Sequence, residues 1–494
     1  MNELFLSKSR YCRAKQCMKM FWMDQYMPDK KISKASESVF INGTMVGELA
    51  KGLFGKYQDI EYSANKKEMI EQTIKYLENK PNIITEASFT YDNNFCSVDI
   101  LKNDIDGMEI YEVKSSSDVK DIYLDDASYQ YFILSNLGFK IKSVNLVHIN
   151  KEYVRHGDIE INKLFKIENI TEIAKEKQTE IEEKIKELNL FMKNNEKSEP
   201  KIDIGHHCQN PYNCDYWEYC TRNLPNPNVF DIAEMHWTKK YEKYYEGKAD
   251  YKDLLDEDLP EKYKEQVDFE VNNKSPKIDK KSIKEFLDEL SYPIYFLDFE
   301  TFQDAIPQFD NENPYKQIPF QYSLHYIEKE GGELKHKEFL GEAGKDPRRD
   351  IAERLVKDIP KDVCVTAYNM GFEKGVIREL AEMYPDLSEH LLNIRENIKD
   401  LMVPFFRRYY YEKKLAGSYS IKDVLPTLFP DDPELDYHNL PVVHNGGEAS
   451  ETYLSLVGKT KEEQEKLRQG LLVYCKLDTL AMVKIWEKLK EIVE

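Results

Sequence analysis

The amino-acid sequence predicts a mixed α/β protein with two unlike domains, and three observations lead to this fold class. The chain has 494 residues, more than one hydrophobic core usually organises. Residues 83–89, 95–101 and 108–113 resemble successive strands of a meander, and residues 167–198 carry the pattern of one long amphipathic helix. From residue 291 onwards, strand-like and helical patterns alternate, which indicates a second α/β layer structure.

Composition narrows the class of protein. Hydrophobic residues make up 41% of the chain and aromatic residues 12%, enough to build cores and to exclude general disorder. No apolar run is long enough to cross a membrane, and residues 1–10 lack the apolar stretch of a signal peptide, so we expect a cytoplasmic protein without membrane partners. The net charge of -20 argues against a protein that binds nucleic acid over its whole surface. It still permits a local cleft that is basic or that holds metal ions.

We divide the chain into three parts. Residues 1–225 form the first domain and residues 289–494 the second. Residues 226–288 are expected to be a charged, partly helical connector, because Lys, Asp, Glu and Tyr dominate that stretch. In the second domain, strands are expected over 291–300, 320–327 and 363–368, and helices over 350–357 and 374–383.

A first group of candidate catalytic residues lies on the meander. Glu112 and Lys114 are two positions apart on one strand and therefore share a face, and the meander can bring Asp99 beside them. Carboxylates hold a hard ion such as Mg²⁺ or Mn²⁺, and a lysine can stabilise an attacking hydroxide or the charge that develops on a phosphate. A solvated strand of alternating charge is the alternative interpretation.

These residues also carry a resemblance. Asp99, then Glu112-x-Lys114, then a helix with Gln130 and Tyr131, resembles the core of the PD-(D/E)XK nucleases, in particular the RecB-type nuclease domain. The resemblance covers residues 1–222. It implies a restriction-endonuclease-like fold with helical additions and catalytic roles for Asp99, Glu112, Lys114 and Gln130.

One position departs from that family. The related nucleases often carry a metal-binding histidine after a glycine in an early helix, whereas Gly47 is followed here by Glu48. Either Glu48 serves instead, or Glu86, Asp99, Glu112 and the carbonyl of Val113 hold the metal without it.

The cysteines suggest a second kind of site in this domain. Cys208, Cys214 and Cys220 are close together in the sequence, and Cys17 lies far upstream. This pattern resembles the iron–sulfur nucleases of the AddB and CRISPR-associated RecB-like groups, which implies a [4Fe–4S] cluster on these four thiolates, with Cys12 as a substitute for Cys17.

Two other interpretations of the cysteines remain open. Four thiolates also hold structural zinc, and the residues can simply be buried and reduced. Eight cysteines in a reducing compartment are not expected to form a disulfide framework. Cys96, Cys364 and Cys475 lie in apolar runs and are predicted to belong to the core.

A second group of candidate catalytic residues lies in the C-terminal half. Asp298 and Glu300 share one face of an apolar strand, and Tyr474 and Asp478 share one face of a late helix. Burying neighbouring carboxylates without a cation is costly, so a metal site is the favoured interpretation. The alternative is a surface pair on an edge strand.

The order of these motifs resembles the DEDDy subgroup of the DnaQ-like 3′–5′ exonucleases, which have an RNase H-like fold. Glu373, in Asn-x-x-Phe-Glu, stands where that family has an aspartate, and Asp400 is a second candidate for this carboxylate. The resemblance spans residues 290–494. It implies two Mg²⁺ or Mn²⁺ ions held by Asp298, Glu300, Asp478 and one of the two candidates, with Tyr474 positioning the attacking water.

A basic and aromatic run follows these motifs. Arg407, Arg408, Lys413 and Lys414 alternate with aromatic residues, a combination that binds single-stranded nucleic acid through phosphate contacts and base stacking. An equally good interpretation is a segment with its aromatics in the core and its charges in water. Residues 418–422 and 446–449 are candidates to line the same cleft.

The two domains together resemble an uncharacterised bacterial family that joins a RecB/AddB-type iron–sulfur nuclease domain to a DnaQ-like exonuclease domain. The resemblance implies a metal-dependent phosphodiester hydrolase that acts on nucleic acid, DNA more than RNA, in DNA repair or defence. The rival hypothesis is a catalytically inactive nucleic-acid-binding or regulatory module that is stabilised by a cluster or by zinc.

Overall fold

The computed structural model describes residues 5–33, 37–79 and 81–494. The chain divides into two compact units, Met1–Asn223 with Asp304–Lys316, and Leu224–Gln303 with Gln317–Glu494. Each unit contains helices and a β-sheet, so the predicted mixed α/β class is confirmed. Within the described ranges, no helix combines the length and apolar composition that a membrane crossing requires.

The first unit is built on a mixed sheet in the order β2-β3-β4-β5-β6-β7, with β1 paired to β4. The strands are β1 Leu6–Ser7, β2 Gln58–Asp59, β3 Ile83–Tyr91, β4 Asn94–Asp104, β5 Gly107–Lys114, β6 Ile141–Ile149 and β7 Phe165–Asn169. The helices are α1 Lys8–Gln16, α2 Met18–Tyr26, α3 Glu37–Ala50, α4 Lys66–Glu78, α5 Asp121–Asn136, α6 Ile161–Leu164, α7 Thr171–Glu176, α8 Gln178–Asn194 and α9 Trp217–Thr221.

The predicted meander is confirmed. β3, β4 and β5 pair antiparallel in sequence order, because tight turns at 92–93 and 105–106 connect them. β5 then pairs parallel with β6, and α5 lies between these two strands in the sequence. This crossover helix carries Gln130, whose amide reaches the carboxylate of Glu112 on β5.

The single helix expected over residues 167–198 is wrong in its first part. Residues 165–169 form β7, which pairs antiparallel with β6, and the helical part divides into α7 and α8 at Lys177. Pairing with β6 satisfies backbone groups that a helix would otherwise satisfy, so tertiary structure overrides the local pattern. α8 is amphipathic as predicted and buries Ile181, Ile185, Leu188 and Met192.

The second unit contains a sheet in the order β11-β10-β9-β12-β13 and a short pair, β14-β8. The strands are β8 Lys277–Ile278, β9 Ile294–Phe302, β10 Ile318–Ile327, β11 Lys335–Leu340, β12 Cys364–Ala367, β13 Ile398–Asp400 and β14 Tyr410–Tyr411. The helices are α10 Trp237–Tyr245, α11 Glu261–Val271, α12 Lys280–Leu287, α13 Arg348–Asp358, α14 Gly371–Met383, α15 Pro385–Glu396, α16 Val403–Phe406, α17 Ile421–Leu428, α18 Gly446–Ser455 and α19 Lys461–Val493.

β9 is the central strand of this sheet and positions the candidate site. It pairs antiparallel with β10 and parallel with β12, and β12 pairs parallel with β13. α19 packs on the sheet, where Gln321 of β10 donates a hydrogen bond to the carbonyl of Leu471 at 2.9 Å. The expected strands and helices of this domain are therefore confirmed, with ends that differ by a few residues.

Residues 226–288 do not form a separate connector. They belong to the second unit, because α10, α11 and α12 bury apolar side chains there, among them Tyr241, Val267 and Ile283. The helical content expected for this stretch is present. Its charged residues cover the outer faces of helices whose inner faces are apolar.

Candidate functional site

Four carboxylates converge in the second unit. Asp298 and Glu300 lie on β9, Glu373 lies in the first turn of α14, and Asp478 lies on α19. Glu300 and Asp478 are each 7% exposed, and Glu373 is 2% exposed. β9 and α19 thus bring together the two pairs of residues that the sequence predicted to share a site.

The geometry of this cluster is unusual within the described chain. Among the described residues, one group of three potential ligand atoms lies mutually within 4.8 Å, and it consists of Asp298, Glu300 and Cys475. The thiol of Cys475 lies 3.7 Å from Oδ2 of Asp298. Cys475 is buried as predicted for a core residue, but the sequence did not indicate that it contacts the carboxylates.

Burial raises the pKa of all four carboxylates, and neighbouring carboxylates add to this effect at Asp298, Glu300 and Glu373. Burial, together with the charges of Asp478, Glu300 and Glu373, raises the pKa of Asp298 well above its usual range. Burial raises the pKa of Glu373 to about 8 and that of Asp478 to about 6. In the described part of the chain, none of the four carboxylates forms an ion pair with lysine or arginine, and the more distant charge of Lys422 offsets the repulsion only in part.

Glu373 and Asp400 have different surroundings. Glu373 adds to the negative potential at Asp298 and Glu300, and its Oε2 is buried without a hydrogen-bond partner. Asp400 accepts hydrogen bonds from the backbone amides of Asn369 at 3.0 Å, Met370 at 3.2 Å and Met402 at 3.0 Å. The geometry therefore selects Glu373 for the cluster and gives Asp400 a role in holding the turn before α14.

Two tyrosines and a lysine complete the surroundings. The hydroxyl of Tyr437 donates a hydrogen bond to Oδ1 of Asp478 at 2.7 Å, and its ring packs against Tyr474. The ammonium of Lys422 lies 5.4 Å from the ring centre of Tyr437 and 5.6 Å from that of Tyr474. The charge of Lys422 lowers the pKa of Glu300 and Asp478, although burial outweighs this effect.

The sequence analysis identified some of the residues that surround the carboxylates. Lys422 was named among the residues that line the cleft, and Gly446 indeed approaches Glu300, since a Cβ there would lie 3.5 Å from its Oε2. Tyr437 was missed, because it begins a 3-10 helix of three residues, which is too short to show periodicity. Glu448 points elsewhere and accepts a hydrogen bond from the amide of His444.

The four basic residues near residue 410 fall into two groups. Arg408 pairs with Glu265 at 3.0 Å and Lys413 pairs with Glu270 at 3.1 Å, so these two cations are already neutralised within the second unit. Arg407 and Lys414 are exposed. Phe405, Tyr410 and Tyr411 are buried, so most of the interleaved aromatics belong to the core.

The first unit contains a network of charged residues around Glu112, which is 1% exposed. Its carboxylate accepts hydrogen bonds from Lys114 at 2.6 Å, Lys8 at 2.8 Å and Gln130 at 2.5 Å. Lys114 also donates to Asp126 on α5 at 2.5 Å. Burial alone would raise the pKa of Glu112, but Lys114 and Lys8 outweigh it and hold that pKa below its usual range.

Asp99 and Glu86 lie at the edge of this network. The backbone amide of Val113 donates to Oδ2 of Asp99 at 2.7 Å, and Lys8 lies 4.0 Å from its other oxygen. Burial and the charge of Glu112 raise the pKa of Asp99 to about 8. Glu86 has a left-handed φ of 57°, which interrupts the pairing of β3 with β4 opposite Asp99.

Two features of this network differ from expectation. Lys8, which the sequence did not single out, lies among the carboxylates where a metal was expected, and among the described residues no trio of metal-ligating atoms gathers here. Glu48 is not a substitute ligand, because it is 63% exposed and pairs with Lys51 at 2.7 Å.

Cys17, Cys208, Cys214 and Cys220 line one small cavity in the first unit. Cys17 lies between α1 and α2, and Cys220 lies in α9. Burial and the neighbouring thiols raise the pKa of Cys208 to about 12 and that of Cys214 to about 11. The structure thus gathers the four cysteines that the sequence selected across almost the whole unit.

Cys12 does not belong to this cavity. Its thiol lies near the charges of Asp126, Lys114 and Lys8 instead, and burial raises its pKa. The structure therefore places Cys17, and not its proposed substitute Cys12, with the other three cysteines, because α1 presents the two residues to different neighbours. Cys96 and Cys364 are buried as predicted for core residues.

The spacing of the thiols bears on what they can hold. In the described structure, no three of the four thiols lie mutually within 4.8 Å. Four thiolates around zinc at about 2.3 Å lie only about 3.8 Å apart. In the described structure, the four thiols are therefore not arranged as they would be around a bound zinc ion. The amide of Tyr216 lies 3.5 Å from the sulfur of Cys214 and can donate to it, as amides near cluster sulfurs do.

Parts of this chain are similar to known protein sequences. A family model described as a domain of unknown function (DUF2779) matches residues 295–420, within the second unit. The uncharacterized protein UU173 of Ureaplasma parvum serovar 3 is 25% identical over 266 residues, which is 49% of this chain and 38% of that protein. The match thus covers well under half of the relative's length. No solved structure matches the chain.

Proposed function

We propose that the second unit is a metal-dependent 3′–5′ exonuclease of the DnaQ-like DEDDy type with an RNase H-like fold. The observation that carries the proposal is the gathering of Asp298, Glu300, Glu373 and Asp478 in a buried place with no ion-paired cation in the described structure. Carboxylate oxygens are the donors that Mg²⁺ and Mn²⁺ prefer. The unpartnered Oε2 of Glu373 and the mutual repulsion of the four groups both fit such ions.

Each residue has a distinct part in this proposal. Asp298, Glu300, Glu373 and Asp478 would hold the divalent ions, which activate water and neutralise charge on the scissile phosphate when bound. Tyr437 fixes the carboxylate of Asp478 through its hydrogen bond. Tyr474 orients the attacking water, and Lys422 supplies positive charge to the phosphate.

The test is digestion of end-labelled single and double strands of DNA and RNA with Mg²⁺ or Mn²⁺. The full chain is expected to shorten single strands from the 3′ end, and Asp298→Ala is expected to abolish this. Lys186→Ala, a change of an exposed side chain on α8 of the first unit, serves as the control and should leave the rate unchanged. Trimming at the original rate by Asp298→Ala would refute the site.

We further propose that the first unit is a RecB-type PD-(D/E)XK domain that holds a [4Fe–4S] cluster on Cys17, Cys208, Cys214 and Cys220. Two observations support this assignment: the four thiols share one cavity, and among the described residues no three of them lie as close together as they would around zinc. Iron and acid-labile sulfide analysis of anaerobically purified protein tests this assignment. Stoichiometric zinc without iron would refute it.

A second nuclease centre in the first unit is the weaker part of the proposal. Asp99, Glu112 and Lys114 adjoin one another as expected, with Gln130 bound to Glu112. Lys8 favours the rival hypothesis of an inactive module, because its ammonium already compensates Glu112. If the Asp298→Ala variant still cleaves and the double variant Asp298→Ala/Glu112→Ala does not, a second nuclease centre is supported. If the Asp298→Ala variant shows no cleavage, the hypothesis of an inactive first unit is supported.

DNA is the proposed substrate and DNA repair or defence the proposed role, and both rest on the resemblance of the two domains. Among the described basic residues near the motifs, Arg407 and Lys414 are exposed and available to phosphates. Competition between labelled DNA and unlabelled RNA of the same sequence would decide the preference. Tighter binding of RNA would overturn the assignment of substrate.

A further inference from the structure

A lysine lies at the place in the first unit where the resemblance implies a divalent ion. The ammonium of Lys8 faces three carboxylates of the network around Glu112. Its nitrogen lies 2.8 Å from Oε1 of Glu112, 3.6 Å from Oδ1 of Asp126 and 4.0 Å from Oδ1 of Asp99. An ammonium group is a compact charge with three N–H donors, so one lysine can compensate several carboxylates at once.

The oxygen atoms that an ion would need already have partners. Oε1 of Glu112 accepts hydrogen bonds from Lys8 and Lys114, and Oε2 accepts one from Gln130. Oδ2 of Asp99 accepts a hydrogen bond from a backbone amide of β5, and its Oδ1 is the oxygen that faces Lys8. Mg²⁺ and Mn²⁺ are held by carboxylate oxygens in direct contact. An ion would therefore have to displace the ammonium of Lys8 before it could reach these oxygens.

The charges of this network nearly balance without a metal ion. Two ammonium groups, those of Lys8 and Lys114, oppose three carboxylates, so one negative charge is left when all three are ionised. A divalent ion would turn this into one positive charge and would be repelled by both ammonium groups. Among the described residues, the one trio of metal-ligating atoms that gathers within 4.8 Å lies in the second unit. The donor set of the first unit thus does not fit a resident ion.

The fold of the backbone brings Lys8 to this position. Lys8 is the first residue of α1, and the side chain of Ser7 caps that helix. The hydroxyl of Tyr129 on α5 donates a hydrogen bond to the carbonyl of Leu6 at 2.8 Å, and its ring stacks on Tyr11 of α1 with 4.7 Å between centroids. The residues on both sides of Lys8 are therefore attached to α5, the helix that also contributes a carboxylate to the network.

Little water reaches the contact between Lys8 and Glu112. The side chain of Lys8 is 18% exposed and that of Glu112 is 1% exposed. Charges that are shielded from water interact more strongly than charges on the surface, because their surroundings screen them less. The ammonium of Lys8 therefore competes strongly with any other cation that approaches Glu112.

We infer that Lys8 replaces the divalent ion in the first unit and closes a latent metal site at Asp99, Glu112 and Asp126. The resemblance implies an ion on Asp99 and Glu112, whereas this chain supplies the positive charge from α1. Without the ammonium, the carboxylates would be left undercompensated, and Oδ1 of Asp126 is already buried without a hydrogen-bond partner in the described structure. Mg²⁺ and Mn²⁺ bind such oxygens. The inference concerns the first unit alone and does not rest on the proposed exonuclease function.

The test counts the Mn²⁺ bound to the full chain, from the loss of the electron paramagnetic resonance signal of free Mn²⁺. All proteins carry Asp298→Ala, and the ion of the first unit is the one whose binding disappears when Glu112→Gln is added. In the chain that keeps Lys8, Glu112→Gln is expected to leave Mn²⁺ binding unchanged. Lys8→Met should bind one further ion, with a gain in affinity at this position of at least about tenfold, because an opposing charge is removed.

Lys15→Met is the matched control. It removes an ammonium group from the same helix, one that pairs with Asp125 at 2.6 Å and with Glu180 at 2.7 Å, and it should gain no ion. Lys8→Gln, which removes the charge but keeps a hydrogen-bond donor, should gain the same ion as Lys8→Met. The second variant keeps the test valid if the apolar one does not fold, which circular dichroism shows.

Two results would overturn the inference. One is Glu112-dependent Mn²⁺ in the chain that keeps Lys8, a comparison that requires no change at Lys8 itself. The other is the absence of such an ion from the folded Lys8 variants. Either result leaves the exonuclease proposal standing, because strand trimming judges that proposal separately.

Discussion

Asp298 illustrates how a residue can serve a site at the expense of stability. Its pKa is raised because burial and three neighbouring carboxylates oppose its charge. A group with a raised folded-state pKa binds its proton more tightly in the folded than in the unfolded chain, so stability falls as pH rises through the unfolded value towards the folded one. A divalent ion would remove this penalty.

The first prediction follows from that repulsion. Asp298→Asn is expected to raise the melting temperature of the metal-free protein at pH 8, because one of four crowded charges is removed, and to reduce 3′ trimming by orders of magnitude. Calorimetry in EDTA and in Mn²⁺ measures the first effect. Mn²⁺ should stabilise the wild type more than the variant, and an equal shift in both would contradict the prediction.

The second prediction separates Glu373 from Asp400. Glu373→Gln should keep the fold and lose metal-dependent activity, because the side chain faces the cluster with an unpartnered oxygen. Asp400→Asn should cost about 2 kcal/mol of unfolding free energy, because it weakens charged acceptance from three backbone amides. Denaturant unfolding and labelled-strand trimming of both variants test the pair, and a stability loss confined to Glu373→Gln would reverse the assignment.

The third prediction concerns the two tyrosines. Tyr437→Phe removes the hydrogen bond to Asp478 and should weaken Mn²⁺ binding several-fold, because that carboxylate loses its orientation. Tyr474→Phe should slow trimming and leave Mn²⁺ affinity nearly intact, because its proposed partner is water. Titration calorimetry measures the affinities, and lost metal binding in Tyr474→Phe would contradict the role given to that residue.

At the residue scale, periodicity could predict those carboxylates that lie on regular strands and helices. Asp298, Glu300 and Asp478 were found because strand and helix periodicity places them on shared faces. Tyr437 and Lys8 were missed. Tyr437 lies in a 3-10 helix of only three residues, and Lys8 contacts Glu112 across a sequence separation of 104 residues, which no local pattern encodes.

At the scale of elements, β10, β11 and α19 meet at a histidine pair. The hydroxyl of Thr479 on α19 lies 2.7 Å from Nδ1 of His325, and the rings of His325 and His336 are tilted by 38° with 4.4 Å between their centroids. Burial lowers the pKa of His325 to about 3 and that of His336 to about 4, and the charge of Lys476 adds to both effects. Both imidazoles are therefore neutral in the folded chain at neutral pH.

The fourth prediction follows from this pair. Unfolded histidine has a pKa near 6.5, so the unfolded chain binds more protons once the pH drops below that value, and stability falls from about pH 6.5 towards pH 4. The loss should be roughly 1 kcal/mol per pH unit for each histidine. His336→Gln should flatten this dependence in denaturant unfolding, whereas His438→Gln, at an exposed histidine, should not.

Elements with strong periodicity were predictable, and those chosen by tertiary pairing were not. The strands 83–91 and 94–104 and helix α8 match the pattern, because one face of each packs on a core. Residues 167–169 were predicted to begin a helix, but they belong to β7, which pairs with β6 at the sheet edge. Likewise, the apolar residues of α10 and α11 are few and lie among many charged residues. The buried faces of these two helices were therefore not recognised in the sequence of residues 226–288.

At the scale of the whole molecule, the division of the chain departs from a simple order along the sequence. Residues 304–316, between β9 and β10, belong to the first unit, where Ala305 joins a core with Val147 and Tyr153. Local composition cannot show that residues 304–316 belong to the other unit. The flanking strands β9 and β10 are complete, so the segment has the appearance of an ordinary loop between two strands. The cysteines, by contrast, were predictable as a set, since their spacing in sequence already suggested ligation.

The fifth prediction concerns what joins the ends of the first unit. Cys17 lies near the start of the chain and the other three cavity cysteines lie within 16 residues of the unit's main boundary at Asn223, so a shared ligand would close a loop of almost the whole unit. Closing a long loop restricts the unfolded chain and stabilises the fold. Cys214→Ala should therefore lose iron and sulfide and lower the melting temperature of this unit by several degrees.

Cys12→Ala is the control for that change, because its thiol lies outside the cavity and faces charged groups. It should retain full iron and sulfide content, whereas each of Cys17→Ala, Cys208→Ala and Cys220→Ala should behave like Cys214→Ala. Visible absorption and metal analysis after anaerobic purification distinguish the outcomes. If Cys12→Ala lost the cluster and Cys17→Ala retained it, the ligand would be Cys12 and not Cys17. If all four cavity variants kept their full cluster content, the cavity would not be the site of the cluster.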